Sequence, residues 1–494
     1  MRILLVSPTH PDTFWSFRHA LRLVRKRAVL PPLGLMTVAS LLPPAWELRL
    51  LDMNIQRLRP QDLRWADLVF IGGMTVQRSS ARSVIEQCKA MGKRVVAGGP
   101  LVTCEPEAFA DVDHLVLDEA ELTLPPFLAD LAEGRPRPVY RAEGKPDVRK
   151  TPPPRWDLVE MNRYAMMGVQ FSRGCPFDCD FCNVTALFGR HPRTKAVEQM
   201  VHELDSLYAA GWRGPIFFVD DNFIGNRKAT GELLDALAVW QRGKARMPMN
   251  TEASINLADD PILVQRMVRA GFTTVFIGIE TPDAAGLGEC GKRQNLKRDM
   301  HADIRKLHAA GLQVQGGFIV GFDADTPTIF QRQFDFIQRS GICTAMLGLL
   351  QAPAGTKLFQ RLRLEGRLLG SSTGDNVDGT TNIDTRLPLE FLRDGYRRAM
   401  QSLYAPNIYY ERIRTFLSDY RPPRWPSRMS MRRNLSSLLA LGRISFHLGL
   451  VDRGRLQYWK LLIGTLFKRP RQLELALTLW AQGHHFRKVA QRLG

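Results

Sequence analysis

Three cysteines fall within eight residues of one another, in the stretch Ser172-Arg173-Gly174-Cys175-Pro176-Phe177-Asp178-Cys179-Asp180-Phe181-Cys182. The spacing is C-x3-C-x2-C. Thiolates are soft ligands, suited to an iron–sulfur cluster or to zinc. Three of them satisfy three irons of a cubane and leave the fourth iron open to a small chelating ligand. A structural zinc site takes four protein ligands, and the nearest other candidate, His191, lies nine residues beyond Cys182. An electron carrier of the ferredoxin kind needs a fourth cysteine. The remaining cysteines, Cys88, Cys104, Cys290 and Cys343, read as buried or half-buried thiols.

The elements around this loop alternate in type. Apolar, strand-like runs at 167–171, 216–219, 250–254, 274–279, 313–320 and 344–349 are separated by helical patterns such as 197–210 and 299–310. Six such units predict a barrel or partial barrel over 161–370, with its site at the carboxyl ends of the strands. The cysteine loop directly follows the first of them. Upstream, residues 1–145 alternate again, with strands at 3–7, 47–52, 67–72, 94–97 and 114–117 and helices at 34–42 and 79–91. That order predicts an α/β domain with a parallel, doubly wound sheet. The turns Ser7-Pro8, Gly72-Gly73 and Gly98-Gly99-Pro100 follow its strands, at the edge where open sheets bind ligands. A proline-rich, core-poor stretch places a linker at 146–160. Helices at 387–403 and 409–417 fall in a helical region at 371–420, and residues 421–494 form a basic tail.

The cysteine motif, with Phe181 as the aromatic before its last ligand, resembles the signature of the radical S-adenosylmethionine (SAM) superfamily. The resemblance implies a [4Fe–4S] cluster on Cys175, Cys179 and Cys182, whose open iron chelates SAM and whose reduction releases a 5′-deoxyadenosyl radical. Phe217-Phe218-Val219-Asp220-Asp221-Asn222-Phe223 stands where relatives usually carry Gly-Gly-Glu, and is similar to the acidic version of the cobalamin-linked branch. Its carboxylates, Asp220 and Asp221, and its carbonyls can accept from the SAM ammonium. Glu252 ends the third barrel strand. Glu280 ends the fourth, in a segment resembling one that contacts the ribose. Gly316, Gly317 and Gly321 resemble the fifth-strand motif that packs along the adenine.

The N-terminal domain resembles the cobalamin-binding, Rossmann-like domain fused to many such barrels. The matching residues are Gly34-Leu35, Asp52-x-Asn54, Gly98-Gly99-Pro100 and Asp118-Glu119-Ala120-Glu121. The implied cobalamin contacts are Gly72, Gly73, Gly98, Gly99, Pro100 and Glu119. The chain lacks the Asp-x-His-x-x-Gly segment, so the resemblance implies cobalamin with no histidine below the cobalt. The order of segments, with Gly374-Asp375-Asn376-x-Asp378-Gly379 in the helical region and the run 220–228, is similar to the hopanoid C-2 methylases. Asp12-Thr13-Phe14-Trp15-Ser16-Phe17 marks a sister group. The expected reaction is C-methylation of an unactivated carbon of a lipid or other apolar metabolite, fed by a reductant such as flavodoxin or ferredoxin. Cyclisation or rearrangement with the same cofactors is the alternative, and a nucleic-acid-binding sensor a more distant one. No acid–base residue is assigned.

Apolar content of 45% and charged content of 24% exclude disorder as the default. No apolar run reaches the length of a spanning helix, and the start of the chain does not read as a signal peptide, so a cytoplasmic protein is expected. The net charge of +19 is uneven: residues 421–494 hold 15 Lys/Arg against 2 Asp/Glu. Arg428, Arg432, Arg433 and Arg443 alternate there with Leu435, Leu438, Leu439, Leu441 and Phe446. Tyr458, Trp459, Leu461 and Leu462 precede Lys468, Arg469 and Arg471. Such a mixture suits an anionic membrane surface, in the cell its inner face; nucleic-acid binders favour aromatics and glycines over aliphatics.

Overall fold

In the computed structural model, which describes residues 1–423 and 442–493, two parallel sheets stand side by side. The first contains β1 (Arg2–Ser7), β2 (Glu47–Asp52), β3 (Leu68–Gly72), β4 (Arg94–Gly98), β5 (His114–Val116) and β6 (Val139–Tyr140), in the order β2-β1-β3-β4-β5-β6. Ile3 to Val6 are buried on both faces, as a parallel strand covered by helices on both sides demands. The strand order reverses between β1 and β3. This switch point opens a crevice at Ser7-Pro8 and Gly72-Gly73. β6 lies in a stretch without strand periodicity, because two residues are too few to show one.

The second sheet contains β7 (Met167–Val169), β10 (Ile216–Phe218), β11 (Met249–Glu252), β12 (Phe272–Glu280), β13 (Gln313–Val320) and β14 (Ala345–Leu349). They pair in chain order, all parallel, and β7 and β14 do not pair with each other, so the barrel is partial. Between β7 and β10, β8 (Ser172–Arg173) and β9 (Arg193–Thr194) form a small antiparallel ribbon that carries the cysteine loop. Amphipathic helices close the outer face. Val197–Ala209, for example, buries Met200, Leu204 and Leu207 at helical spacing. On β11 and β12 the half-exposed residues alternate with buried ones, which puts Asn250, Glu252, Phe276 and Gly278 on the concave face.

The C-terminal helices are Leu389–Leu403, Pro406–Asp419, Arg455–Lys468 and Leu473–Ala490. Leu473–Ala490 belongs to the core rather than to a solvated tail. Its Trp480 and Phe486 are fully buried, and Phe486 stacks on Phe14 at 4.0 Å. Arg487 in that helix is neutralised by Asp452 at 2.9 Å. The tail residues Arg428, Arg432, Arg433, Leu435, Leu438, Leu439 and Leu441 lie outside the described residues. Among the described residues no helix is long and apolar enough to cross a membrane.

Candidate functional site

The cysteine loop is held from both domains. Asp220, fully buried at the end of β10, accepts from the backbone N–H of Phe171 (3.1 Å), the backbone N–H of Ser172 (2.5 Å) and the Ser172 hydroxyl (2.6 Å). Asp221 accepts from the N–H of Gly174 at 3.2 Å. Gly174 has φ +95°, and a Cβ there would stand 2.8 Å from the carbonyl oxygen of Gly189. Only glycine turns the chain here without strain. The far side is pinned by the Asp180 N–H on the carbonyl of Cys290 (3.0 Å) and the Leu358 N–H on the carbonyl of Asp180 (2.9 Å). From the N-terminal domain, Glu119 and Glu121 reach Arg173, two residues before Cys175, both at 2.8 Å, and Glu119 also takes Arg193 at 2.7 Å. Asp118 is held at φ +60° ahead of them.

Three free thiols on one loop, with no fourth thiol or imidazole within it, suit a cubane that keeps one iron open better than a closed four-ligand zinc site. Burial pushes all three thiols up, Cys182 to about 12. Asn222 Nδ2 donates to Cys175 Sγ at 3.8 Å and Gln294 Nε2 to Cys179 Sγ at 4.0 Å. Lys292 ion-pairs with Glu280 at 2.6 Å and brings its positive charge to bear on Cys179 and Cys182. Glu280 ends β12 at a register shift with φ +64°, an unusual backbone state for a side-chain-bearing residue. Lys292 carried no signal in the sequence, since its pairing with Glu280 depends on a turn that returns the chain to the strand end.

Glu252 is the group left over. No hydrogen-bond donor or cation among the described residues touches its carboxylate. Burial, followed by repulsion from Asp221 and Asp220, pushes it up to about 8, and Asp221 itself rises to about 6. Carboxylates held in this way fit a cationic ligand such as the ammonium of SAM. A carboxyl raised above its unfolded value stabilises the fold only while it is protonated. That contribution is complete below about pH 4.5 and is lost as pH rises through about 8. Glu252→Gln is therefore expected to match the wild type near pH 4.5. At pH 8.5 it should be the more stable protein, by on the order of 2 kcal/mol, and its affinity for SAM should be lower. Thermal melts of the cofactor-free proteins across this range, with and without SAM, check both.

The other expected residues fall as follows. Phe181 packs half-buried beside Cys290 and Phe322. Gly316 and Gly317 lie on β13, where the rings of Phe318 and Phe276 take the space a side chain would need. Gly321 turns the chain after β13, with its N–H on Asp325 at 2.7 Å. Gly72, Gly73, Gly98, Gly99 and Pro100 line the carboxyl edge of the first sheet, with Leu101 N–H on the carbonyl of Gly73 at 3.1 Å. Glu119 sits at the seam, both oxygens taken by guanidinium groups. The edge is closed by a loop from the C-terminal region. Arg78 donates to the carbonyl of Ser372 at 3.2 Å, and a Cβ on Gly348 of β14 would strike the carbonyl oxygen of Asn376. The Gly374–Gly379 motif thus spans from the last barrel strand to the loop after β3.

The segment Asp12–Phe17 reaches the barrel from outside. Trp15 donates to Met346 Sδ of β14 at 2.9 Å and meets Phe276 of β12 edge-on at 5.4 Å. Leu473–Ala490 holds it there: His485 Nε2 faces the carbonyls of Thr13 and Phe14 at 3.2 and 3.0 Å. Asp12, His19 and His485 bring ligand atoms within 4.8 Å of one another. Arg492 ion-pairs with that aspartate, so the group is a tie between the chain's two ends and not a cation site.

Comparison with known proteins gives three family models in succession along the chain: a B12 binding domain over 22–128, the Radical SAM superfamily over 169–337, and a domain of unknown function, DUF4070, over 356–494. An uncharacterized methyltransferase of Synechocystis sp. is 42% identical, over 98% of this chain and 91% of its own length. The hopanoid C-2 methylase of Rhodopseudomonas palustris is 33% identical, over 98% and 92%. Among solved structures, the cobalamin-dependent SAM radical enzyme OxsB, with aqua-cobalamin and SAM bound, superposes with a TM-score of 0.64 at 14% identity, covering 100% of this chain and 79% of that one.

Proposed function

The chain belongs to the cobalamin-dependent radical SAM methyltransferases, in the family of the hopanoid C-2 methylase, and from that premise we propose that it methylates an unactivated carbon of a lipid or comparably apolar metabolite. The observation that carries the proposal is the seam: Arg173, two residues before Cys175, is gripped by Glu119 and Glu121 of the cobalamin domain. The cluster loop is thereby fixed against the edge where cobalamin would lie. When bound, the cluster and SAM supply a hydrogen-abstracting radical, and cobalamin supplies the methyl group.

The chain's own residues do the positioning. Cys175, Cys179 and Cys182 would hold the cluster, with the Lys292 charge and the Asn222 and Gln294 amides stabilising sulfur that carries negative charge. Glu252 and Asp221 would take the SAM ammonium. The loops at Gly72-Gly73 and Gly98-Gly99-Pro100, under the Gly374–Gly379 loop, would hold cobalamin. Asp220 and Glu119 position the loop rather than contact a ligand, because their oxygens are occupied. A one-electron reductant such as flavodoxin or ferredoxin would recharge the cluster. A lipid substrate places the enzyme at a membrane as a peripheral protein.

Trp15, Phe276 and Met346 offer an apolar, polarisable wall at the barrel, which supports an apolar substrate over a polar one. Trp15→Ala is expected to raise KM for that substrate about 10- to 100-fold, through loss of roughly 2 kcal/mol of burial. Deoxyadenosine formation without substrate should stay within about twofold. Steady-state kinetics of the two reactions separate the effects.

The deciding experiment is anaerobic reconstitution of the cluster, followed by measurement of deoxyadenosine and S-adenosylhomocysteine from SAM with reductant. S-adenosylhomocysteine that appears only with cobalamin, together with a methylated apolar product, supports the proposal. Deoxyadenosine with a rearranged, unmethylated product would sink it.

A further inference from the structure

Eight of the 17 exposed large apolar side chains among the described residues fall between residues 446 and 467. The helix Arg455–Lys468 is apolar on two opposite sides. One side, Tyr458, Leu461 and Thr465, is buried against the rest of the C-terminal helices. The other carries Leu456, Trp459, Ile463, Leu466 and Phe467, with Leu456 67% and Phe467 80% exposed. At 3.6 residues per turn these five lie within an arc of about 100°. A solvated helix has no use for such a stripe, and a patch of this kind marks a binding surface. Phe446, Leu450 and Val451, in and beside the π-helical segment His447–Val451 that precedes the helix, extend it. Trp459 is fixed in place by its Nε1–H on the carbonyl of Gly449 at 2.9 Å.

The charge around the stripe has one sign. Arg455 and Lys460 flank it on the helix, and Arg453, Lys468 and Arg471 stand at its ends, all exposed. No Asp or Glu occurs from 453 to 473, and none of these cations has a carboxylate partner among the described residues. Arg443 Nε donates to the carbonyl of Leu23 at 3.1 Å, which joins this surface to exposed Arg25 and Arg27.

We propose that this face docks the enzyme on an anionic lipid bilayer, with the stripe inserted among the acyl chains and the cations on the headgroups. An in-plane helix with an apolar face, a tryptophan and flanking basic residues is the form such docking takes. A second copy of the chain fits worse, because a twofold contact would set these unpaired cations against their own copies. Nucleic acid would match the charge but leave the aliphatic stripe in water. The docking rests on the apolar-substrate reading only for its purpose, since a bilayer is where such a substrate is held.

The test is flotation of the cofactor-loaded full chain with phosphatidylcholine vesicles containing about 30% phosphatidylglycerol, and with phosphatidylcholine alone. Wild type should float with the mixed vesicles, and more weakly with the neutral ones or in high salt. Ile463→Glu/Phe467→Glu should bind at least about tenfold more weakly, with an unchanged melting temperature and unchanged deoxyadenosine formation, because both side chains face solvent. Wild type that stays unbound, or a variant that floats as well as wild type, overturns the proposal. So does a variant that turns a dimer into a monomer in sedimentation while vesicle binding is unaltered. Methylation of substrate presented in detergent reports separately on the reaction, so a protein that floats but methylates no apolar compound leaves the docking standing and removes the substrate reading.

Discussion

Cys179→Ala is expected to lower deoxyadenosine formation at least about a thousandfold, to the background of the reductant acting alone. The geometry gives three reasons. Cys179 is buried and sits between the two flanking thiols of the loop, with Gln294 on its sulfur. With two thiolates left, a cubane has two open irons instead of one, and iron after reconstitution should fall from about four per chain toward zero. Lys292 would also lose one of the negative groups that hold its charge up, and would keep only Glu280 and Cys182. The loop itself should survive, because its bonds to Asp220, Asp221, Cys290 and Leu358 involve no sulfur. The melting temperature of the cofactor-free variant should then stay close to wild type, which separates loss of the cluster from loss of the fold. Cys343→Ala is the matched control: a buried thiol at the amino end of β14, whose removal should leave iron content and product unchanged. Because burial raises the thiols, assembly of the cluster must expel three protons, and reconstitution should become more complete as pH rises from 7 to about 9.

What the sequence made legible were the features that depend on near neighbours. Spacing alone marked the three cysteines. Apolar runs marked β1, β3, β4 and β13, ended by Ser7-Pro8 in the first and by glycine in the others, because strands in parallel sheets are buried on both faces. The carboxyl edges followed, since the turns Gly72-Gly73 and Gly98-Gly99-Pro100 come immediately after strands. What escaped depends on distant partners. Asp220 reads as an acidic group at a strand end, and only the fold reveals that its oxygens are spent on Phe171 and Ser172, 49 and 48 residues away. Lys292 and Gln294 have no motif, and gain their place from the turn after the helix Ala284–Glu289, which returns the chain to the end of β12 at Glu280. The ribbon of β8 and β9 has two residues in each strand, too few for a period. The basic composition of 421–494 likewise concealed that Leu473–Ala490 is a core helix, because one salt bridge, Arg487 to Asp452, removes a charge that composition counts as solvated.

The same distance dependence makes Arg173 the most informative residue to change. Its side chain is 12% exposed and its partners Glu119 and Glu121 are 4% and 10% exposed. Nη1 lies 2.8 Å from Glu119 and 3.0 Å from Glu121, and Nη2 lies 2.8 Å from Glu121. Arg173→Met is expected to destabilise the protein by about 3–5 kcal/mol, because it leaves Glu121 buried with no cation, held by the Thr151 hydroxyl and its own backbone N–H, while Glu119 keeps Arg193. The pH dependence has a definite sign. Burial works to raise Glu121, but Arg173 outweighs it and holds the carboxyl below its ordinary value. The contribution is therefore present above about pH 4.5 and lost as pH falls through the depressed value, so the gap between variant and wild type should narrow in acid. The functional effect should be selective. Cluster content depends on Asp220 and Asp221 and should persist, whereas S-adenosylhomocysteine that requires cobalamin should fall about 10- to 100-fold, because the two cofactor domains lose their register. Adding Glu121→Leu to Arg173→Met removes the stranded carboxylate and should recover much of the stability. If it recovers the cobalamin-dependent product as well, the pair serves only stability; if stability returns and the product does not, the ion pair itself sets the distance across which the methyl group must travel.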